Sequence, residues 1–250
     1  MTVTDSNADS LWLVRLGQSA ADTTLVCFPH AGGAASFYHP LARATAGVAD
    51  VVGIQLPGRQ DRRHEPCIDD LPALADAVAD ALGGCIHRPL AFFGHSMGAV
   101  LAFEVAARLE RDTGTILRRL FVSGRRAPSR YRDDDLHRSG DQALIAELRA
   151  LSGTDSALLD DGELLQMILP AIRGDYRAIE RYRYTPGVVV SCPISALVGE
   201  EDPRATVGEV SDWAGHTTAT FDLHTFPGRH FYLADEINGV ATLVRGRLGQ

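Results

Sequence analysis

Along the chain, short apolar runs alternate with longer stretches in which apolar residues recur every three or four positions. The runs at 24–28, 51–55, 90–93, 117–122, 193–198 and 220–226 are rich in Val, Ile, Leu and Phe and are bounded by Gly, Pro or polar clusters. Runs of this length and composition read as strands, most of them buried on both faces. Between them the spacing predicts helices over 37–46, 68–82, 97–111, 207–214 and 231–248. In the second of these Leu71, Leu74, Ala75, Val78 and Leu82 share a face, and Asp69 and Asp70 stand near its start, where acids meet the positive end of the helix dipole. Strands and helices in alternation imply βαβ units, hence an α/β fold with a mainly parallel sheet flanked by helices.

One segment breaks the rhythm. From 125 to 186 there is no strand pattern, while Leu144, Ile145 and Leu148, and then Leu164, Leu165, Ile168 and Ile172, recur at helical spacing. This predicts a helical insertion over 125–186 between two strands, within one domain spanning 1–250. Pro170 should kink or divide its helix, because it removes a backbone donor and crowds the preceding turn.

Composition narrows the function. The 250 residues, 45% of them hydrophobic, suffice for one core, and the formal charge of -8 argues against a nucleic-acid partner, which needs a basic surface. Residues 1–10 are polar, without the basic flank and apolar stretch of a signal peptide. The most apolar stretch, 89–107, carries Gly94, His95, Ser96, Gly98 and Glu104, so a strand followed by a buried helix explains it better than a membrane span. Cys27, Cys67, Cys85 and Cys192 lack metal-ligand spacing and are expected to be free thiols in a reducing cytoplasm; no metal and no cofactor are expected.

The chemistry concentrates at Gly94-His95-Ser96-Met97-Gly98, which directly follows a predicted strand and opens a predicted helix. That is the setting of a nucleophile elbow, where a strained turn presents the serine and the glycines admit neighbouring backbone. A serine hydroxyl needs a base. Of the nine histidines, His230 stands in a loop after the last strand and before the last helix, at the carboxyl edge of the sheet. His95, His216 and His224 are less well placed, and His64 suits the rim of a site. Asp202 follows the strand at 193–198 and is the candidate to orient the imidazole, with Glu200 and Glu201 as rivals. The alternative acid position after the strand ending near Val122 holds Ser123-Gly124-Arg125-Arg126 and no carboxylate. Ser, Asp, His is the chain order of the α/β-hydrolase fold. For the developing oxyanion, the backbone N–H groups of Met97 and of Ala31, in Pro29-His30-Ala31-Gly32-Gly33, are the expected donors.

Together, Phe28-Pro29-His30-Ala31-Gly32-Gly33, Gln55-Leu56-Pro57-Gly58-Arg59, Gly94-His95-Ser96-Met97-Gly98-Ala99, Asp202-Pro203 and His230-Phe231-Tyr232-Leu233 resemble the type II thioesterases of polyketide and nonribosomal peptide synthesis. The resemblance spans nearly the whole chain. It implies an editing hydrolase that clears aberrant or stalled acyl groups from the phosphopantetheine arms of acyl or peptidyl carrier domains, with the insertion as a lid over an acyl chamber. Ser96, Asp202 and His230 would form the triad, and Met97 and Ala31 the oxyanion hole. Arg229 departs from the pattern, standing where many relatives have glycine, and puts a charge beside the base.

Other functions share these residues. A carboxylester hydrolase or an acyltransferase would use the same triad, and a non-catalytic binding protein could keep the fold alone. Arg59, Arg62, Arg63 and His64 could meet a pantetheine phosphate or simply be solvated. Between 118 and 138, seven arginines face three acids, a local surplus that could steer an acidic carrier domain.

Overall fold

The computed structural model describes residues 11–17, 21–83, 88–151 and 162–249. Seven strands form one sheet: β1 (Leu13–Arg15), β2 (Thr24–Phe28), β3 (Asp50–Ile54), β4 (Leu90–His95), β5 (Arg119–Ser123), β6 (Ile194–Gly199) and β7 (Phe221–Phe226), in the spatial order β1-β3-β2-β4-β5-β6-β7. β1 runs antiparallel to β3, with Leu13 opposite Ile54; every other pairing is parallel. This is the mainly parallel, helix-flanked sheet expected of the α/β-hydrolase fold. Only β1 went unanticipated. Its three residues are too few to show a period, and its edge position leaves it half-buried.

Alternation along the central strands separates two cores. Val26, Phe28, Leu90, Phe92, Leu120, Val122, Ile194 and Ala196 face one layer, where α2 (Leu71–Gly83) and α3 (Met97–Thr113) pack. Leu25, Cys27, Ala91, Phe93, Phe121 and Leu197 face the other, covered by α1 (His39–Ala44) and the C-terminal helix (Ile237–Leu248). Parallel strands covered on both faces lose the polar alternation of a half-exposed sheet, which is why they read as continuous apolar runs.

Several predicted helices are trimmed by their caps. The second begins at Leu71 because Asp70 accepts the N–H of Ala73 at 2.9 Å, a side-chain cap. The first and last are preceded by 3-10 turns, Ala35–Tyr38 and Tyr232–Ala234. The predicted 207–214 helix is a short α6 (Val207–Ser211), closed by a Thr206/Glu209 capping box, followed by a 3-10 turn; the C-terminal helix is therefore α7.

Between β5 and β6 lie α4 (Asp141–Leu151) and α5 (Gly162–Arg181). α5 continues through Pro170 instead of dividing there; Leu169, Ala171 and Ile172, all buried, hold it on either side of the proline. The insertion has two attachments. Leu144, Leu148, Leu165, Leu169 and Ile172 form a small cluster of their own, whereas Ala178, Ile179 and Tyr182 belong to the main core beside α3. The side chain of Leu164 lies outside the described residues.

Local opening follows the density of buried contacts. Amides of α5 beyond Asp175 are therefore expected to exchange nearly as slowly as those of β4, and those of α4 roughly tenfold or more faster. Hydrogen-exchange mass spectrometry checks this, and equal protection in α4 and β4 would make the whole insertion part of the fixed core.

Candidate active site

β4 leads into α3 through Ser96, which has φ 55° and ψ −119°. A non-glycine residue held there costs on the order of 1–3 kcal/mol and persists only where its surroundings enforce it. Two hydrogen bonds do so: Ser96 N–H donates to Ser123 O at 2.8 Å, and Ser96 O accepts from Ala99 N–H at 3.0 Å. The flanking glycines are required by close approach. A Cβ on Gly94 would lie 2.1 Å from Gly98 O, and one on Gly98 would lie 2.1 Å from Phe28 O.

His230 Nε2 lies 3.0 Å from Ser96 Oγ, and His230 Nδ1 lies 2.9 and 3.0 Å from the two oxygens of Asp202. Both side chains of this pair are buried. The loops that carry them are tied together, since Glu200 N–H donates to Phe226 O, Glu201 N–H to Gly228 O, and Gly199 leaves no room for a Cβ against Arg229 O. The backbone N–H of Arg204 donates to Asp202 Oδ1 at 2.8 Å. Such an array can draw a proton from the serine, hold it on the imidazole and stabilise the resulting cation.

The rivals sit elsewhere. Glu200 and Glu201 are exposed, as are His64 and Arg229. His216 meets Ser129, and His224 meets Asp222. His95 is buried behind the site, its Nδ1 2.9 Å from Ser123 Oγ, which in turn meets Tyr232 OH at 2.7 Å. Burial, then the charge of His230, pushes the pKa of His95 well below the usual imidazole range; burial, His230 and Arg59 push that of His30 down to about 3. Both rings are neutral at pH 7, so neither adds a positive charge beside His230.

Met97 opens α3, so its N–H has no partner within the helix. Ala31 lines the same pocket, together with Ser96, Arg125, Tyr176 and His230. The Ala31 loop is anchored from the insertion, an arrangement that sequence reasoning missed. Asp175 of α5 accepts Gly32 N–H at 2.7 Å and forms a two-pronged ion pair with Arg59 at 2.8 and 2.9 Å, with both side chains of the pair buried. Gly32, at φ 77°, packs against Ile172, which would lie 2.5 Å from a Cβ there. The one available signal was Arg59 itself, an arginine in a Pro-Gly turn. It is committed to Asp175, while Arg62 is committed to Glu65 and Gln55 O and stacks on Trp12, so of that basic group only Arg63 and His64 stay exposed.

The arginine surplus at 118–138 is also largely answered. Arg119 pairs with Asp222, Arg126 with Asp134, Arg130 with Asp212 and Arg132 with Glu209, so the acids that balance them lie mostly far along the chain. Beside Ser96 the pocket leaves about 40 Å³ of free space. That is room for a water molecule or so, far short of the several hundred Å³ of an ordinary ligand site.

A family profile described as Thioesterase domain matches residues 23–248. The Probable cadicidin biosynthesis thioesterase of Streptomyces griseus is 49% identical over 243 residues, covering 97% of this chain and 67% of that protein. Thioesterase PikA5 of Streptomyces venezuelae is 44% identical over 239 residues, covering 94% and 85%. Among solved structures, the type II thioesterase BorB from the borrelidin biosynthetic cluster superposes with a TM-score of 0.88 at 47% identity, over 95% of this chain and 98% of that one. RedJ, the thioesterase from the prodiginine pathway of Streptomyces coelicolor, gives 0.86 at 40% identity, over 91% and 86%. The chain belongs to the thioesterase domain family and is a thioester hydrolase.

Proposed function

We propose that this enzyme is an editing thioesterase, removing aberrant or stalled acyl groups from the phosphopantetheine arms of carrier domains in polyketide or nonribosomal peptide synthesis. The observation that carries the reading is the hydrogen-bonded line from Asp202 through His230 to Ser96 in a chain whose relatives include type II thioesterases.

In this reading Asp202 holds His230 with its proton on Nδ1, and Nε2 takes the proton of Ser96 as Oγ attacks the thioester carbonyl. Negative charge on that oxygen falls to the N–H groups of Met97 and Ala31. The C–S bond then breaks, and the thiol leaves with the proton from His230. Water, deprotonated by the same imidazole, attacks the acyl-serine ester; the bond between the acyl carbon and Oγ breaks, His230 returns the proton to Ser96, and the acid is released. Every group is supplied by this chain, by water or by the partner's arm, so the reaction draws on no cofactor. A cytoplasmic location suits the free thiols Cys27, Cys67 and Cys192; Cys85 lies outside the described residues. Among the described residues, no helix is long and apolar enough to cross a membrane.

In this reading the insertion, which lines the pocket through Leu151, Tyr176 and Ile179, acts as a lid that gives way as the acyl chain enters. Its fixed half, through Asp175, serves as the brace of the oxyanion loop.

Two measurements test this. One acyl group is presented on a carrier domain, on pantetheine and as a matched oxygen ester. The carrier thioester is expected to give the highest kcat/KM, and preference for the oxygen ester would favour a carboxylester hydrolase. In the second, Asp175→Ala is expected to lower kcat by roughly 10²-fold, near the cost of an oxyanion donor, with a smaller change in KM. Asp175→Asn, which keeps an acceptor for Gly32 N–H, should recover part of the loss. Wild-type kcat in folded Asp175→Ala would show that Asp175 does not brace the loop.

A further inference from the structure

One arginine ties α4 to the loop of the catalytic acid. Arg204 stands two residues after Asp202, and its backbone N–H donates to Asp202 Oδ1 at 2.8 Å, so its main chain is held by the triad. Asp202 N–H in turn donates to Gly199 O at 3.1 Å, which fixes the loop on the end of β6. The Arg204 side chain reaches the other way: Nε donates to Glu147 Oε1 on α4 at 2.7 Å, and Nη2 meets the same oxygen. Nη1 lies 3.8 Å from Asp134, which Arg126 also holds, at 3.2 Å. Arg204 and Asp134 line the pocket beside Ser96, and so does Leu151 at the end of α4.

The Arg204 side chain is 25% exposed and that of Glu147 22%, so water and salt screen this pair less than one lying free on the surface. The buried leucines Leu144 and Leu148 of α4 pack with Leu165, Leu169 and Ile172 of α5, inside the insertion, and belong to neither core of the sheet. With no share of those leucines in either core, α4 leans on Glu147 for its tie to the loop of the catalytic acid.

We propose that Glu147 and Arg204 are the latch of the lid: their ion pair sets α4 on the loop of the catalytic acid, and its parting is the step that admits the acyl chain. Such a latch keeps the resting pocket mostly closed, and the apparent affinity for a substrate is reduced by the fraction of molecules that are open. Weakening the pair from the α4 side raises that fraction and leaves Ser96, His230, Asp202 and the Arg204 N–H in place. The entry step rests on the reading in which Ser96 attacks a thioester in this pocket; the hold of the pair on α4 does not.

The test uses Glu147→Gln and Glu147→Arg, which remove and reverse the charge. Glu, Gln and Arg have nearly equal helix propensity, so α4 itself is not weakened. Hydrogen exchange of α4, measured relative to β4 in the same molecule, is expected to rise about 3- to 10-fold in Glu147→Gln, the worth of a half-buried ion pair, and further in Glu147→Arg, where two cations meet. KM for butyryl-pantetheine, which is insensitive to the folded fraction, is expected to fall in the same order. Glu147→Asp, with the same charge on a shorter stem, should lie between the wild type and Glu147→Gln. Unchanged α4 exchange in Glu147→Arg overturns the proposal. So does a rise shared equally by β4, which would make the pair a stabiliser of the whole fold, and so does faster α4 exchange with an unchanged KM, which removes the entry step. Wild-type enzyme inert toward butyryl-pantetheine would instead contradict the thioesterase reading, and the exchange ratio would still decide the latch.

Discussion

The rest of the site depends on one backbone constraint, the turn that holds Ser96 at positive φ between a buried parallel strand and a buried helix. The turn needs glycine at 94 and 98 because backbone from α3 and β2 occupies the space a side chain would take. It needs β5 alongside, because Ser123 O fixes the serine N–H. With those neighbours in place, Oγ projects beyond the carboxyl edge of the sheet, and the loops after β6 and β7 bring Asp202 and His230 to it. A strain of a few kcal/mol is tolerable in a sheet whose central strands are fully buried.

The insertion contributes more than a cover. Its second helix sends Asp175 beneath the Ala31 loop, where one carboxylate meets both the Gly32 N–H and the Arg59 guanidinium. A buried ion pair of this kind adds little net stability, but losing one partner leaves an uncompensated charge. Its value lies in geometry: the carboxylate fixes the backbone of Gly32, next to Ala31 at the pocket wall. The insertion thus divides into a braced half, packed on the main core, and a half with its own small cluster. In the proposed mechanism only the second half has to move for the acyl chain to enter.

Much of this was legible in the sequence, and for identifiable reasons. Strands buried on both faces announce themselves as apolar runs, and the Gly-His-Ser-Met-Gly turn lies between such a run and a helix. The loops of Asp202 and His230 could be placed because each follows a predicted strand. What could not be read was contact between distant charges. Arg59 and Asp175 stand 116 residues apart, and Arg130 and Asp212 stand 82 apart, so no local pattern joins them and a basic stretch looked unbalanced when it was not. β1 escaped for want of length, and α5 runs through Pro170 because packing on both sides outweighs one missing hydrogen bond.

In the proposed reaction Ser96 Oγ carries the acyl group between the two halves. Rapid quenching of enzyme mixed with an acyl-carrier thioester, followed by peptide mass spectrometry, tests this directly. The peptide containing Ser96 is predicted to gain the mass of the acyl group within the first turnover, and Ser96→Ala to show neither the adduct nor hydrolysis above a small residue. An adduct on another side chain, or full turnover by folded Ser96→Ala, would contradict it.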